Sequence, residues 1–95
     1  MTDQDKLTML KADLQMLTSA NDNYLLTLLG IAQAAMTREG IANDDSADYY
    51  GCQISYAAYL FRKRAASVGA GETAMPRFLR YQLNNLVLSQ KMREG

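Results

Sequence analysis

The sequence predicts an all-α, four-helix bundle-like domain spanning residues 1–95, and three observations point there. Apolar residues recur at three- and four-residue spacing over four separate segments. No stretch rich in Val, Ile and Thr alternates with polar residues in the way of a strand. The chain has 95 residues, the length of a single domain packed around one layer of helices.

The first helix is expected from about Asp3 to Leu17. Thr2 suits its N-cap, with Asp5 three residues on, and Leu7, Leu10, Leu14 and Leu17 form a narrow apolar stripe. The polar run Thr18–Asn23 breaks the pattern. The second helix is expected from about Ala20 to Arg38, capped by Ser19 with Asp22 at the third position. Leu25, Leu28, Leu29, Ala32, Ala35 and Met36 make its core-facing side. Gly40 falls where a left-handed C-terminal residue belongs.

The third helix is expected from about Ser46 to Val68, and it has two apolar stripes. Tyr50, Ile54, Ala57, Ala58, Phe61, Ala65 and Val68 form one; Tyr49, Cys52, Tyr56, Tyr59 and Leu60 form another, roughly opposite. A helix apolar on two sides needs two packing partners. The second, tyrosine-bearing side is therefore either a subunit contact, where tyrosine is common, or the far side of a centrally placed helix. Gly69 and Gly71 mark a turn. The fourth helix is expected to open at Pro76, whose fixed φ suits a first helical position, and to reach about Met92. Met75, Leu79, Leu83, Leu86 and Val87 face one way. Arg77, Arg80, Asn84 and Lys91 line another side, with Phe78, Tyr81, Leu88 and Met92 between.

Composition argues against catalysis. There is no histidine, the usual acid–base group near neutral pH, so a Ser–His or Cys–His pair cannot be built. The carboxylates cluster near helix starts, where capping and the helix dipole account for them. A lone cysteine, Cys52, permits neither an internal disulfide nor a four-ligand Cys/His zinc site. No metal or cofactor is expected, and the VGAGET glycines lack the Lys-Ser/Thr ending of a phosphate loop. The charged N-terminal segment does not read as a signal peptide, and no apolar run approaches the roughly 20 residues that span a bilayer. The expectation is a protein made in the cytosol with no membrane partner.

Charge is balanced in total but divided along the chain. Residues 1–60 hold three bases against eight acids, and residues 61–95 hold seven bases against two acids. An acidic front and a basic back suit head-to-tail contact or a basic end meeting an acidic partner; helix-end charges alone would give the same division.

The third helix carries SYAAYLFRKRA and the fourth MPRFLRYQLNN. Alanines leading into Tyr59 and Arg62, followed by Met75, Pro76 and Leu79 opening a Leu/Arg helix, resemble the head–tail connector family of tailed bacteriophages. The likeness runs from about Leu7 to Leu88 and rests on the order and spacing of elements. It implies a non-enzymatic helical adaptor of a phage or prophage virion. Such an adaptor assembles as a homo-oligomeric ring at the head–tail joint, between the portal protein and a neck or tail-completion protein. It also implies that the fourth helix meets the portal. The short Gly40–Asp45 connection departs from relatives with a longer loop there.

Surplus apolar and charged surface nominates the contact residues. Tyr49, Tyr56 and Tyr59 are expected at the subunit interface, and Arg77, Arg80, Tyr81 and Lys91 at the portal or neighbour contact. The rival reading is a small helical DNA-binding or DNA-packaging-associated protein, using Arg62, Lys63, Arg64 and the fourth-helix bases. The chain lacks the basic net charge of a specific binder, so DNA contact is expected to be transient and non-specific at most.

Overall fold

Thr2 opens the first helix as its spacing predicts. Its Oγ1 accepts from the Asp5 amide at 3.1 Å while the Asp5 carboxylate accepts from the Thr2 amide at 3.2 Å, a reciprocal capping box. The computed structural model describes residues 1–67 and 75–94, and among them four helices and no strand. These are α1 (Asp3–Asp13), α2 (Asp22–Arg38), α3 (Ala47–Ser67) and α4 (Arg77–Glu94).

Helix α1 stops four residues earlier than its leucine stripe suggests. Gln15 takes a left-handed conformation (φ 58°), the Met16 amide donates back to the Lys11 carbonyl at 2.9 Å, and the Gln15 amide donates to Ala12 at 3.2 Å. These two bonds satisfy the last carbonyls and end the helix as a Schellman turn. Leu7 and Leu10 are buried, but Leu17, left beyond the turn, is 99% exposed. Helix α2 begins after Asn21 rather than Ser19, and Asn21 makes no side-chain cap bond. Its other end matches expectation. Gly40 has φ 88°, and the Ile41 amide donates to the Met36 carbonyl at 3.0 Å. Both Ile41 and Met36 are buried, supplying the apolar contact that accompanies this cap.

Ser46 caps α3: its Oγ accepts from the Tyr49 amide at 3.0 Å and donates to Asp44 at 2.6 Å. Helix α4 starts at Arg77, one residue after Pro76. The Gly69/Gly71 turn, Val68 and the side chain of Ala65 lie outside the described residues.

Helix α3 is the centre of the molecule. On one side Ile54, Ala57 and Ala58 pack with Leu7 and Leu10 of α1 and Leu25, Leu28, Leu29 and Ala32 of α2. On the other, Tyr49, Cys52 and Tyr59 pack with Leu79, Leu83 and Leu86 of α4 and with Met36 and Ile41. Burying a large aliphatic side chain contributes roughly 1.5–3 kcal/mol, so the three α4 leucines are the main hold on that helix. Polar clasps add to it. Gln90 exchanges two hydrogen bonds with the Ala42 backbone (2.9 and 2.7 Å), and the Arg80 guanidinium meets Glu39 at 2.7 Å. The result is a slab of 44 × 32 × 18 Å.

Candidate docking surface

The tyrosines expected at a subunit interface are placed mainly in the chain's own core. Tyr49 is fully buried, edge-on to Tyr50 at 5.6 Å between ring centroids, and its pKa is raised by burial, then by neighbouring Tyr50, Cys52 and Asp44. Tyr59 is also buried and packs edge-on to Tyr56 at 6.1 Å. Tyr56 is partly covered, packing against both halves of the core. The subunit-interface expectation is therefore corrected for Tyr49 and Tyr59. A central α3 uses both its apolar sides inside one chain, leaving these rings no surface for a neighbour.

Two further polar groups of this interior stand out. Gln53 is buried and donates to the Leu29 carbonyl at 2.9 Å, clasping α3 to α2, while its Oε1 has no partner among the described residues. The Cys52 thiol is fully buried, and burial followed by Glu39 pushes it up to about 11, which makes it a packing residue with little thiolate.

The fourth-helix residues stand differently. Arg77, Tyr81 and Lys91 are exposed, as a contact role requires. Arg80 is exposed too, but its guanidinium is occupied by Glu39 and by the Met75 sulfur at 3.6 Å. This makes Arg80 a clasp between α4 and the end of α2, its guanidinium already engaged within the chain while its side chain stays 45% exposed. The basic cluster at the end of α3 is similarly engaged. Arg62 reaches the carbonyl and carboxylate of Asp13 at 3.2 and 3.5 Å, Lys63 lies 5.9 Å from the Tyr59 ring centre, and Arg64 lies 5.4 Å from that of Tyr24.

What α4 does leave outside is an apolar face. Phe78, Tyr81, Leu88 and Met92 are between 58% and 81% exposed, on the side away from Leu79, Leu83 and Leu86. Arg77 and Lys91 run along one edge of this face. Along the other edge lies a cleft of about 390 Å³ lined by Ala47, Asp48, Gly51, Gln82, Asn85, Leu86 and Ser89. The Gln82 Oε1 is buried and accepts no hydrogen bond among the described residues. The apolar residues and the basic edge are legible in the sequence, but the cleft is not, because Asp48 and Gly51 of α3 meet Gln82 and Asn85 only through tertiary packing.

No family model, curated protein or solved structure matches this chain.

Among the described residues no group of three His, Cys, Asp or Glu side chains is placed to hold a metal ion. Among the same residues no helix is long and apolar enough to cross a membrane.

Proposed function

We propose that this chain is a non-catalytic structural adaptor of a phage or prophage virion, assembling as a ring between the portal and the neck or tail. The observation that carries the reading is the outward face of α4. Phe78, Tyr81, Leu88 and Met92 form an apolar strip edged by Arg77 and Lys91, on a helix whose opposite side is already committed to the core. Contiguous exposed apolar side chains rimmed by charge mark protein contacts, and tyrosine, methionine and arginine are enriched in them. The element order and the resemblance of SYAAYLFRKRA and MPRFLRYQLNN to head–tail connectors supply the virion context.

The test is co-sedimentation of the purified protein with portal-bearing heads. Binding is expected, and replacing Arg77 and Lys91 together by alanine should weaken it roughly tenfold, since rim charges steer and orient an encounter more than they hold it. Failure of the unaltered protein to bind portal would remove the virion assignment.

The DNA-binding alternative has weaker support. Arg62 is paired with Asp13, and Lys63 and Arg64 lie over tyrosine rings. A gel-shift titration distinguishes it, because phosphate-driven binding falls steeply as salt rises.

A further inference from the structure

The exposed strip on α4 has a defined register. Phe78, Tyr81, Asn85, Leu88 and Met92 follow one another at spacings of three, four, three and four, the repeat of the inner positions of a coiled coil. All five are exposed, and the core-facing leucines 79, 83 and 86 lie on the other side of the helix. Asn85 is the single polar member and sits at the middle of the seam. A lone asparagine at such a position pairs with its own copy and fixes register and orientation, at some loss of stability.

We propose that this strip is covered by α4 of a second copy of the chain, in a parallel, two-fold symmetric pair with Asn85 against Asn85. The inference concerns the chain free of any virion: a second copy and a portal would cover the same strip, so a chain docked on a portal has given up this pair. The two edges of the strip decide both occupant and direction. In a parallel pair, the edge bearing Arg77, Asn84 and Lys91 faces the other copy's edge bearing Gln82 and Ser89. That second edge borders the cleft walled by Asp48, where the Gln82 Oε1 has no partner among the described residues. Arg77 of one copy is then five residues out of step with Gln82 of the other, the usual cross-strand pairing, and a basic edge meets a cleft with an acidic wall. Because the operation is two-fold, the same pairing forms twice. An antiparallel pair would instead set Arg77 against Lys91 of the other copy, cation against cation.

The area fits a weak pair. Four large, mostly exposed side chains from each copy remove roughly 1,000 Å² in total, the lower limit for a specific interface. Association is therefore expected to depend on concentration.

Sedimentation equilibrium of the pure chain should show a monomer–dimer equilibrium, and Leu88→Glu should weaken it by about 100-fold, with helicity by circular dichroism unchanged. A cysteine at Met92 reports direction. Met92→Cys should crosslink to itself in a parallel pair, whereas an antiparallel pair would part the two sites by about 21 Å along the axis. The buried Cys52 adds no background. Asn85→Leu should tighten association and admit crosslinks between Phe78→Cys and Met92→Cys chains. A chain that stays monomeric at about 0.5 mM, far above the micromolar range of weak pairs, overturns the proposal, whether or not portal binding is seen. So does preferential Phe78→Cys to Met92→Cys crosslinking with Asn85 intact. Portal binding that fails at concentrations where the chain is monomeric removes only the adaptor reading.

Discussion

At the scale of single residues, burial rewrites ordinary side-chain chemistry. Cys52 is the clear case: with no solvent at its sulfur, the neutral thiol is favoured and the pKa rises from 9.0 to about 11. A group whose folded pKa is raised supports the fold below its unfolded value. Above pH 9 the unfolded chain releases this proton while the folded chain keeps it, so stability falls until about pH 11. Urea unfolding followed from pH 8 to 11 should show this decline, on the order of 2 kcal/mol from this group. In Cys52→Ala the decline should be smaller, because the remaining contributors are tyrosines such as Tyr49 and Tyr56, whose raised values act in the same direction at higher pH. Equal slopes in the two proteins would show that the thiol is not shielded as described. The Tyr50 hydroxyl, bonded to Asp45, is likewise raised, chiefly by that bond.

At the scale of elements, the helix ends tell which local signals prevail. The Thr2 capping box and the Gly40 cap were legible in the sequence because both are short-range and need specific residue types. The end of α1 was not, since Gln15 is an unusual occupant of a left-handed position and the leucine spacing continues past it. Placing a non-glycine residue there costs roughly 1–2 kcal/mol. Gln15→Gly should therefore raise the unfolding free energy by about 0.5–1 kcal/mol once the extra freedom it gives the unfolded chain is subtracted. A thermal melt shifted upward by a few degrees is the expected readout; a downward shift would mean that Gln15 is held by something other than backbone geometry.

Helix α3 shows the limit of pattern reading at this scale. Two opposed apolar stripes say that a helix needs two neighbours, and they are silent on whether those neighbours belong to one chain or to two. The burial of Tyr49, Cys52 and Tyr59 against α4 answers that question.

At the scale of the whole molecule, α3 separates the core into two halves of unequal support. Helices α1 and α2 pack on each other as well as on α3, whereas α4 lies chiefly along α3, with Met36 and Ile41 beside its leucines and polar clasps at Glu39 and Ala42. Leu83, fully buried between α4 and α3, should cost about 2–4 kcal/mol when replaced by alanine. Hydrogen exchange in Leu83→Ala should show α4 amides losing protection ahead of those in α1 and α2. Uniform loss across all helices would mean that the two halves unfold as one unit.

By itself the sequence determined the helical class, the number of helices, their approximate limits and the residues able to make a core. Those properties come from periodicity, capping chemistry and glycine, which act within a few residues. Only the tertiary structure decided which of the surplus apolar surfaces stays outside. It turned the tyrosine face of α3 inward, committed Arg80 to Glu39, and brought Asp48 and Gly51 beside Gln82 and Asn85. The reason is physical: a stripe on a helix fixes that it must be covered, but what covers it depends on how elements distant in the chain share a limited interior.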